Sequence, residues 1–452
     1  MDDTELGTLH GSIAGRTAAE IAGSVRSLLE RGALRPGDAL PPVRALAESL
    51  GVNRNTAVAA YGLLARSGLV VAGGRAGTRI AHPEPFAQEG FASPDPDPDP
   101  SRPLRDIGAG NPDPAWIPDP SRYLGALAGR PVLYGEPVID PELETDARAW
   151  MSADLAPADL RLTLTSGAVD AVERLLAQAL TRDDAIALED PCWLANIHTV
   201  RLAGYRAVPV PVDAEGMTTD GLRAALAQGV RAVICTPRAQ NPTGAGLSER
   251  RAAELRAVLA DHPYVLVIED DHFSLLSRQP FRSIVGPNHR RFALVRSVSK
   301  FLGPDMCLAV TASDPHTADR LALRLSSGTT WVSHLLQRLT HAILADPDAQ
   351  DLISRAGAHY AARNAAFADR LAGVGIDAAA GDGLSLWVPL DAPTARVAAE
   401  LKRRGWLARS GDEFFLADAP DAPHLRLTVH DLTDDEASAL VADLAASVDA
   451  AR

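Results

Sequence analysis

Cysteine is scarce in this 452-residue sequence: Cys192, Cys235 and Cys307 are scattered, odd in number and never in a CxxC pair. That excludes a disulfide framework or a structural zinc site as the source of its stability. Long apolar runs are lacking too, since none approaches the ~18 residues of a membrane span. The opening MDDTELGTLHGS is acidic and has no apolar h-region, so no secretion signal is expected and the cytoplasm is the expected compartment. Positive charge is in deficit, with 44 basic against 58 acidic residues and a net charge of −14. Evenly spread, that charge would argue against a nucleic-acid partner. Lysine is almost absent: of the 44 basic residues only Lys300 and Lys402 are lysines. A lysine kept in so arginine-biased a chain is a candidate for chemistry that arginine cannot perform.

What is present exceeds the roughly 100–200 residues of one domain, with 46% hydrophobic and 23% charged residues as in globular proteins. The stretch His82–Pro103 contains PDPDPDP from Pro94 to Pro100, which reads as an extended, self-repelling linker. It separates a module of nine Arg and seven acidic residues, charge +2, from a remainder of 35 basic and 51 acidic residues, charge −16. The expected domains are therefore 1–81, a linker 82–105, a large domain 106–353 and a small subdomain 354–452.

In the first module Ile21, Val25, Leu28 and Leu29 recur at helical spacing, as do Val43, Leu46, Ala47 and Leu50. Arg35-Pro36-Gly37 breaks the chain, Gly51 stops the second helix, and Asn53 is placed to cap a third over Arg54–Ser67. Leu69–Ile80 then alternates around Gly73-Gly74 as a two-stranded wing would. Arg44, Asn53, Arg54, Asn55 and Thr56 fall at or near helix starts, where side chains and free N–H groups reach phosphates and base edges. Arg54 is the candidate for a guanine contact; Arg75, Thr78 and Arg79 on the wing are candidates for phosphate or the minor groove. Singly each arginine reads as a solvated charge. Together, in LPPVRALAESLGVNRNTAVAAYGLLARSGLV, they resemble the winged helix-turn-helix of GntR-type regulators, with Pro42 where that family has serine.

Beyond Asp106 short apolar runs (162–165, 185–188, 207–210, 232–235, 265–268 and 292–295) alternate with helical stretches, as around a largely parallel sheet. From about 354 a long helix, a strand at Leu384–Val388, a helix opening at Pro393, a strand near Leu425–Val429 and a last helix read as α+β. Candidate chemistry gathers at the strand ends. Lys300 in Ser297-Val298-Ser299-Lys300 can bond an aldehyde if its amine is freed. Asp270 is placed to face a pyridinium nitrogen, whereas Asp271 reads as a cap or surface carboxylate. Asn241 lies in QNPTGAG, Trp193 in DPCW, and Ser166-Gly167-Ala168 opens a helix where a phosphate can sit. Arg426 can grip a carboxylate bidentately.

The array of Tyr134, Ser-Gly-Ala, Pro-Cys-Trp, Asn-Pro-Thr-Gly, Glu-Asp-Asp, Ser-x-Ser-Lys and Leu-Arg-Leu resembles a fold-type I pyridoxal-phosphate aminotransferase. Joined to the GntR-like module it resembles the MocR/GabR regulators. The resemblance implies an α+β winged helix-turn-helix, a linker, an α/β aminotransferase-like large domain and an α+β small subdomain. It further implies that Lys300 is the Schiff-base lysine, Asp270 the ring-nitrogen partner, Asn241 the ligand of the 3-hydroxyl and Trp193 the stacking ring. Ser166, Gly167, Ala168 and Ser297 would hold the phosphate of pyridoxal 5'-phosphate, with Tyr134 arriving from a neighbouring subunit of a head-to-tail homodimer. Arg426 would take an effector's carboxylate, and the partners would be a double-stranded DNA operator and an amino-acid-like effector. Two departures stand out: Cys307 replaces an expected phosphate-clamping arginine, for which Arg238 or Arg296 could substitute, and His272 replaces a tyrosine. Ala168 also stands where many transaminases have threonine. The readings that follow are a pyridoxal-phosphate-responsive regulator, a working aminotransferase with a DNA-binding appendage, or a regulator whose large domain only dimerises.

Overall fold

Thr17 starts the first helix with a reciprocal cap: its hydroxyl accepts from the Glu20 N–H, and the Glu20 carboxylate accepts from the Thr17 N–H. The computed structural model describes residues 12–72, 77–81, 104–155, 159–416 and 423–452. The proline-rich linker and Arg75 lie outside the described residues. The chain divides into two compact units, Met1–Phe86 and Ala87–Arg452.

In the first unit α1 (Ala18–Glu30), α2 (Val43–Leu50) and α3 (Arg54–Arg66) precede β1 (Val70–Ala72) and β2 (Thr78–Ile80), an antiparallel pair. Ile21, Val25, Leu28, Leu46, Ala57, Leu64 and Ile80 fill one core; Leu29 and Leu50, on the same spacing, are half-buried. Gly51 ends α2 at φ 64°, and Asn53 caps α3 by accepting from the Asn55 N–H at 2.8 Å. Pro42, having no side-chain acceptor, starts α2 without a cap bond.

The second unit is built on an eight-stranded sheet among the described residues. Its strands are β4 (Arg161–Thr165), β5 (Ala185–Asp190), β6 (Arg206–Asp213), β7 (Gly216–Met217), β8 (Ala232–Cys235), β9 (Leu266–Asp270), β10 (Phe292–Ser297) and β11 (Ala309–Ser313), in the order 4-11-10-9-8-5-6-7. Pairing is parallel from β10 through β9, β8 and β5 to β6; β11 runs antiparallel between β10 and β4. The carboxyl ends of β4, β5, β8, β9 and β10 therefore share one edge. Strand parity feeds two cores. Ala187, Val233, Val267 and Leu294 pack on one face, and Leu188, Ile234, Ile268 and Val295 on the other. Helices cover both faces, among them α4 (Pro141–Ser152), α5 (Ala168–Ala179), α6 (Leu194–Ala203), α7 (Thr219–Ala227) and α8 (Glu249–Ala260).

After α9 (Ser299–Leu302), α10 (Pro315–Ser326) and α11 (His334–Ala345), the 26-residue α12 (Pro347–Ala372) runs from one core into the next. The small subdomain pairs β12 (Leu386–Pro389) and β14 (Arg409–Ser410) on either side of β15 (His424–Leu427) beneath α13 (Thr394–Arg403) and α14 (Asp434–Ala451). The sequence division opened the large domain at 106. The structure instead pairs Arg105–Asp106 (β3) with Trp406–Leu407 (β13), and Ile107 is wholly buried in the small subdomain's core. No helix among the described residues is long and apolar enough to cross a membrane.

Candidate functional site

Two acids end β9 and a third, Asp271, follows it, and their fates follow from parity. Glu269 and Asp271 belong to the face of Val267, and Asp270 to the face of Ile268. Asp271 is not a surface or capping carboxylate, as its sequence context suggested. It is fully buried and bonded bidentately by Arg238 (Nε–Oδ1 and Nη2–Oδ2, both 2.8 Å) and by Arg296 Nε at 2.8 Å. Burial pushes its pKa up, but the hydrogen bonds and charge of Arg238, with Arg296, outweigh that and hold it below the usual carboxylate range. Arg238 and Arg296 are thereby committed. They do not stand in for the arginine missing at Cys307, because Arg296 shares Asp271's face and reaches Asp154 and the Trp150 carbonyl with its remaining N–H groups.

Asp270 has no such partner. It is 1% exposed, its Oδ1 makes no hydrogen bond, and burial, with the charge of Asp271, pushes its pKa up to about 7. On the same face and edge lies Ser297, whose Oγ accepts from the Ser299 N–H at 3.1 Å and whose backbone pairs, like that of Thr165, with Ala309. That register sets the Ser166-Gly167-Ala168 turn and the Lys300 turn at one sheet edge, on either side of the Ala309 end of β11. Gly167 sits at φ 94° with open space where a side chain would stand, and α5 starts there with its N–H groups free of helical partners.

Lys300, Asn241 and His272 line one narrow cleft together with Gly110 and Asp382. Lys300 Nζ donates to the Gly110 carbonyl at 2.9 Å. Arg426 is completely buried; Nη1 donates to Asn241 Oδ1 at 3.2 Å and Nη2 to the Gly108 carbonyl at 2.6 Å, with Phe414 below its guanidinium at 4.9 Å. The strap Gly108–Gly110, which carries no side-chain signal in the sequence, thus reaches both cationic groups. Gly108 is required there, since a Cβ would come within 2.8 Å of the Arg409 N atom. The signal available in the sequence was the turn-rich run Gly108-Ala109-Gly110-Asn111-Pro112-Asp113. Trp193 precedes α6, half-buried, at the end of β5.

Tyr134 does not join the site within one chain, and the Cys307 turn brings no cation to it. Tyr134 is 91% exposed and packs against Trp331 at 5.4 Å. Cys307, exposed at φ 36°, turns its Sγ toward the Pro304 carbonyl at 3.3 Å. The residues present nevertheless fit a phosphorylated pyridine aldehyde. A buried carboxylate without a hydrogen bond at Oδ1 could receive a ring N–H, Lys300 on the same sheet edge could bond the aldehyde, and the helix start at Gly167 could donate to a phosphate.

In the first unit Asn53, Arg54 and Asn55 lie exposed at the start of α3, with Thr56 half-buried behind them. Arg44 pairs with Glu48 one turn along α2 at 3.2 Å, both side chains exposed. Thr78 is half-buried on β2, and Arg79 donates to the Gly37 carbonyl at 2.9 Å. An exposed helix start beside a two-stranded wing is a geometry suited to a groove of duplex DNA.

The aminotransferase class I and II family model matches residues 109–444, and that of the gntR family of bacterial regulatory proteins matches residues 17–80. The vitamin B6 salvage pathway transcriptional repressor PtsJ of Salmonella typhimurium is 47% identical over 433 residues, 96% of this chain and 98% of that one. The HTH-type transcriptional regulator TauR of Rhodobacter capsulatus is 28% identical over 446 residues, 85% of this chain and 86% of its own. Among solved structures, kynurenine aminotransferase of Pyrococcus horikoshii superposes with a TM-score of 0.68 at 19% identity, over 77% of this chain and 91% of that one. The α-aminoadipate aminotransferase LysN of Thermus thermophilus, solved with N-(5'-phosphopyridoxyl)-L-leucine, gives 0.66 at 20% identity over 77% of this chain and 92% of its own. At such identities these likenesses establish the fold.

Proposed function

The chain belongs to the aminotransferase class I and II family and carries a gntR-type DNA-binding module, as the MocR/GabR regulators do, and from that membership we propose that it is a transcription regulator responsive to pyridoxal phosphate. The observation that carries the proposal is the unpartnered, buried carboxylate of Asp270 on the same sheet edge as Lys300. When bound, the cofactor supplies an aldehyde that bonds an amine and a ring that withdraws electrons.

Lys300 offers the amine, held against Gly110 until the cofactor competes for it. Asp270 retains the ring-nitrogen proton; a cationic N–H beside it removes the cost of its isolation and returns its pKa toward the ordinary range. Asn241 orients a ring hydroxyl while bonded to Arg426, so cofactor and carboxylate subsites share one hydrogen bond. His272 lines the cleft beside them, and Trp193 offers a ring face. The N–H groups of Ser166, Gly167 and Ala168 and the hydroxyl of Ser297 receive the phosphate. Arg426 grips the carboxylate of an amino-acid-like effector in exchange for the Gly108 carbonyl. Tyr134 and its exposed neighbour Leu133 support a head-to-tail homodimer in which that tyrosine completes the partner's phosphate site. The extended likeness to a vitamin B6 repressor supports repression of a gene of that metabolism as the output.

The test is a titration of the purified chain with pyridoxal phosphate, followed by absorbance and by mobility shift on its upstream DNA. The expected result is a visible band, absent in Lys300→Ala, together with a change in DNA affinity. No spectral change and no change in DNA binding would overturn the proposal. On the DNA side, Arg54→Ala is expected to relax base discrimination by about 1–3 kcal/mol, whereas Arg44→Ala weakens all sequences alike and lowers the salt slope. Lys300 and Asn241 in one cleft, with Arg426 bonded to Asn241 behind it, also support a working aminotransferase. Repeated keto-acid release from an amino-acid panel would favour that reading.

A further inference from the structure

At the mouth of the glycine-lined turn the structure holds an anion of its own. Asp170, in the first turn of α5, accepts from the Ser166 N–H through Oδ2 at 3.0 Å, and its Oδ1 accepts from Arg174 Nε at 2.6 Å. Both side chains are largely covered, at 23% and 21% exposure. A helix start carries about half a positive charge, and this carboxylate spends it internally. The guanidinium of Arg174, one turn further along α5, is engaged by the same carboxylate, and Cys307 is a thiol where a cation is expected. The space beside Gly167 is nonetheless open, and Asp270 Oδ1 on the same sheet edge lacks a partner, so the edge is shaped for a ligand bearing both an N–H and an anion.

We propose that Asp170 is an internal competitor of the cofactor's phosphate, lowering the affinity for the phosphorylated compound while leaving recognition of its ring untouched. This rests on the reading of Lys300 and its surroundings as a pyridoxal-phosphate site. To receive the phosphate, Ser166 gives up Asp170, and the carboxylate turns wholly onto Arg174. The exchange costs one charge-assisted bond and sets two like charges within a helical turn of each other. A regulator gains from such a weakening, because a site saturated at every cofactor concentration reports nothing.

Asp170→Asn keeps the acceptor oxygen and removes the charge. The full-length chain and this variant would be titrated with pyridoxal phosphate and with pyridoxal, following absorbance, with inorganic phosphate as a competitor in a third series. The expected result is an apparent Kd for pyridoxal phosphate about fivefold lower in Asp170→Asn, stronger competition by inorganic phosphate, and an unchanged Kd for pyridoxal. Arg174→Met is expected to act in the opposite direction, weakening pyridoxal phosphate about fivefold. Should Asp170→Asn fail to fold, Asp170→Gln serves the same comparison, folding being checked by thermal unfolding. An unchanged ratio of the two affinities overturns the role of Asp170 while leaving the cofactor site standing. Absence of any spectral change with either compound in either protein overturns the site itself, and the inference with it.

Discussion

Asp270 and Asp271 are adjacent, equally buried and chemically identical, yet the protein treats them in opposite ways. Asp271 sits between two guanidiniums, a closed ion cluster that also binds Asp154. Asp270, on the other face of the same strand, is left with a bare oxygen. A folded chain satisfies its buried polar groups almost without exception. The contrast separates a carboxylate that serves the fold from one left open in the way the proposed cofactor site requires.

The sharpest way to break this contrast is Arg296→Met. Removing one guanidinium strips Asp271 and Asp154 of a partner in the interior, and unfolding in guanidinium chloride is expected to show a loss of about 3–5 kcal/mol. Asp270→Asn is expected to do the reverse in the cofactor-free protein, raising stability by about 2 kcal/mol at pH 8 while weakening the affinity for pyridoxal phosphate.

The pH dependence sharpens the same pair. Asp270 goes from an ordinary 3.8 to about 7 on folding, so folding takes up a proton between those values. Its cost to stability grows as pH rises from about 4 to 7 and is full above that. Asp271 is held low in the fold, so its contribution is complete above its ordinary 3.8 and is lost as pH falls through its folded value. The stability gap between Asp270→Asn and the parent protein should thus widen up to about pH 7 and then stay level, whereas the gap for Asp271→Asn should close in acid. Chemical denaturation across pH measures both. The smallest effect belongs to Lys300→Ala, whose lost bond to the Gly110 carbonyl is expected to cost about 1 kcal/mol in the cofactor-free protein.

Much of the site was legible because its residues follow strand ends in motifs of fixed order. Lys300, Asn241 and Arg426, over 100 residues apart in places, do meet around one cleft. Less legible was everything that depends on which face of a strand a residue takes. Arg296 is a candidate phosphate clamp by sequence, but one residue's difference in parity sends it to Asp271 and its neighbour Ser297 to the face of Asp270. The strap Gly108–Gly110 escaped notice for another reason. Its contribution is two backbone carbonyls, and a sequence names no carbonyl. By sequence Asp170 is one more acid in a helix's first turn; its bond to Ser166 sets it at the turn proposed to take a phosphate.

By itself the sequence determined the two-part organisation, the helix-turn-helix with its wing, the alternating α/β rhythm and the singling out of Lys300, because composition, periodicity and motif order are local properties of the chain. Only the tertiary structure decided which buried charges are closed off and which are left open. Partnering of that kind depends on sheet order and strand parity, through which residues distant in sequence share one face and adjacent ones are separated.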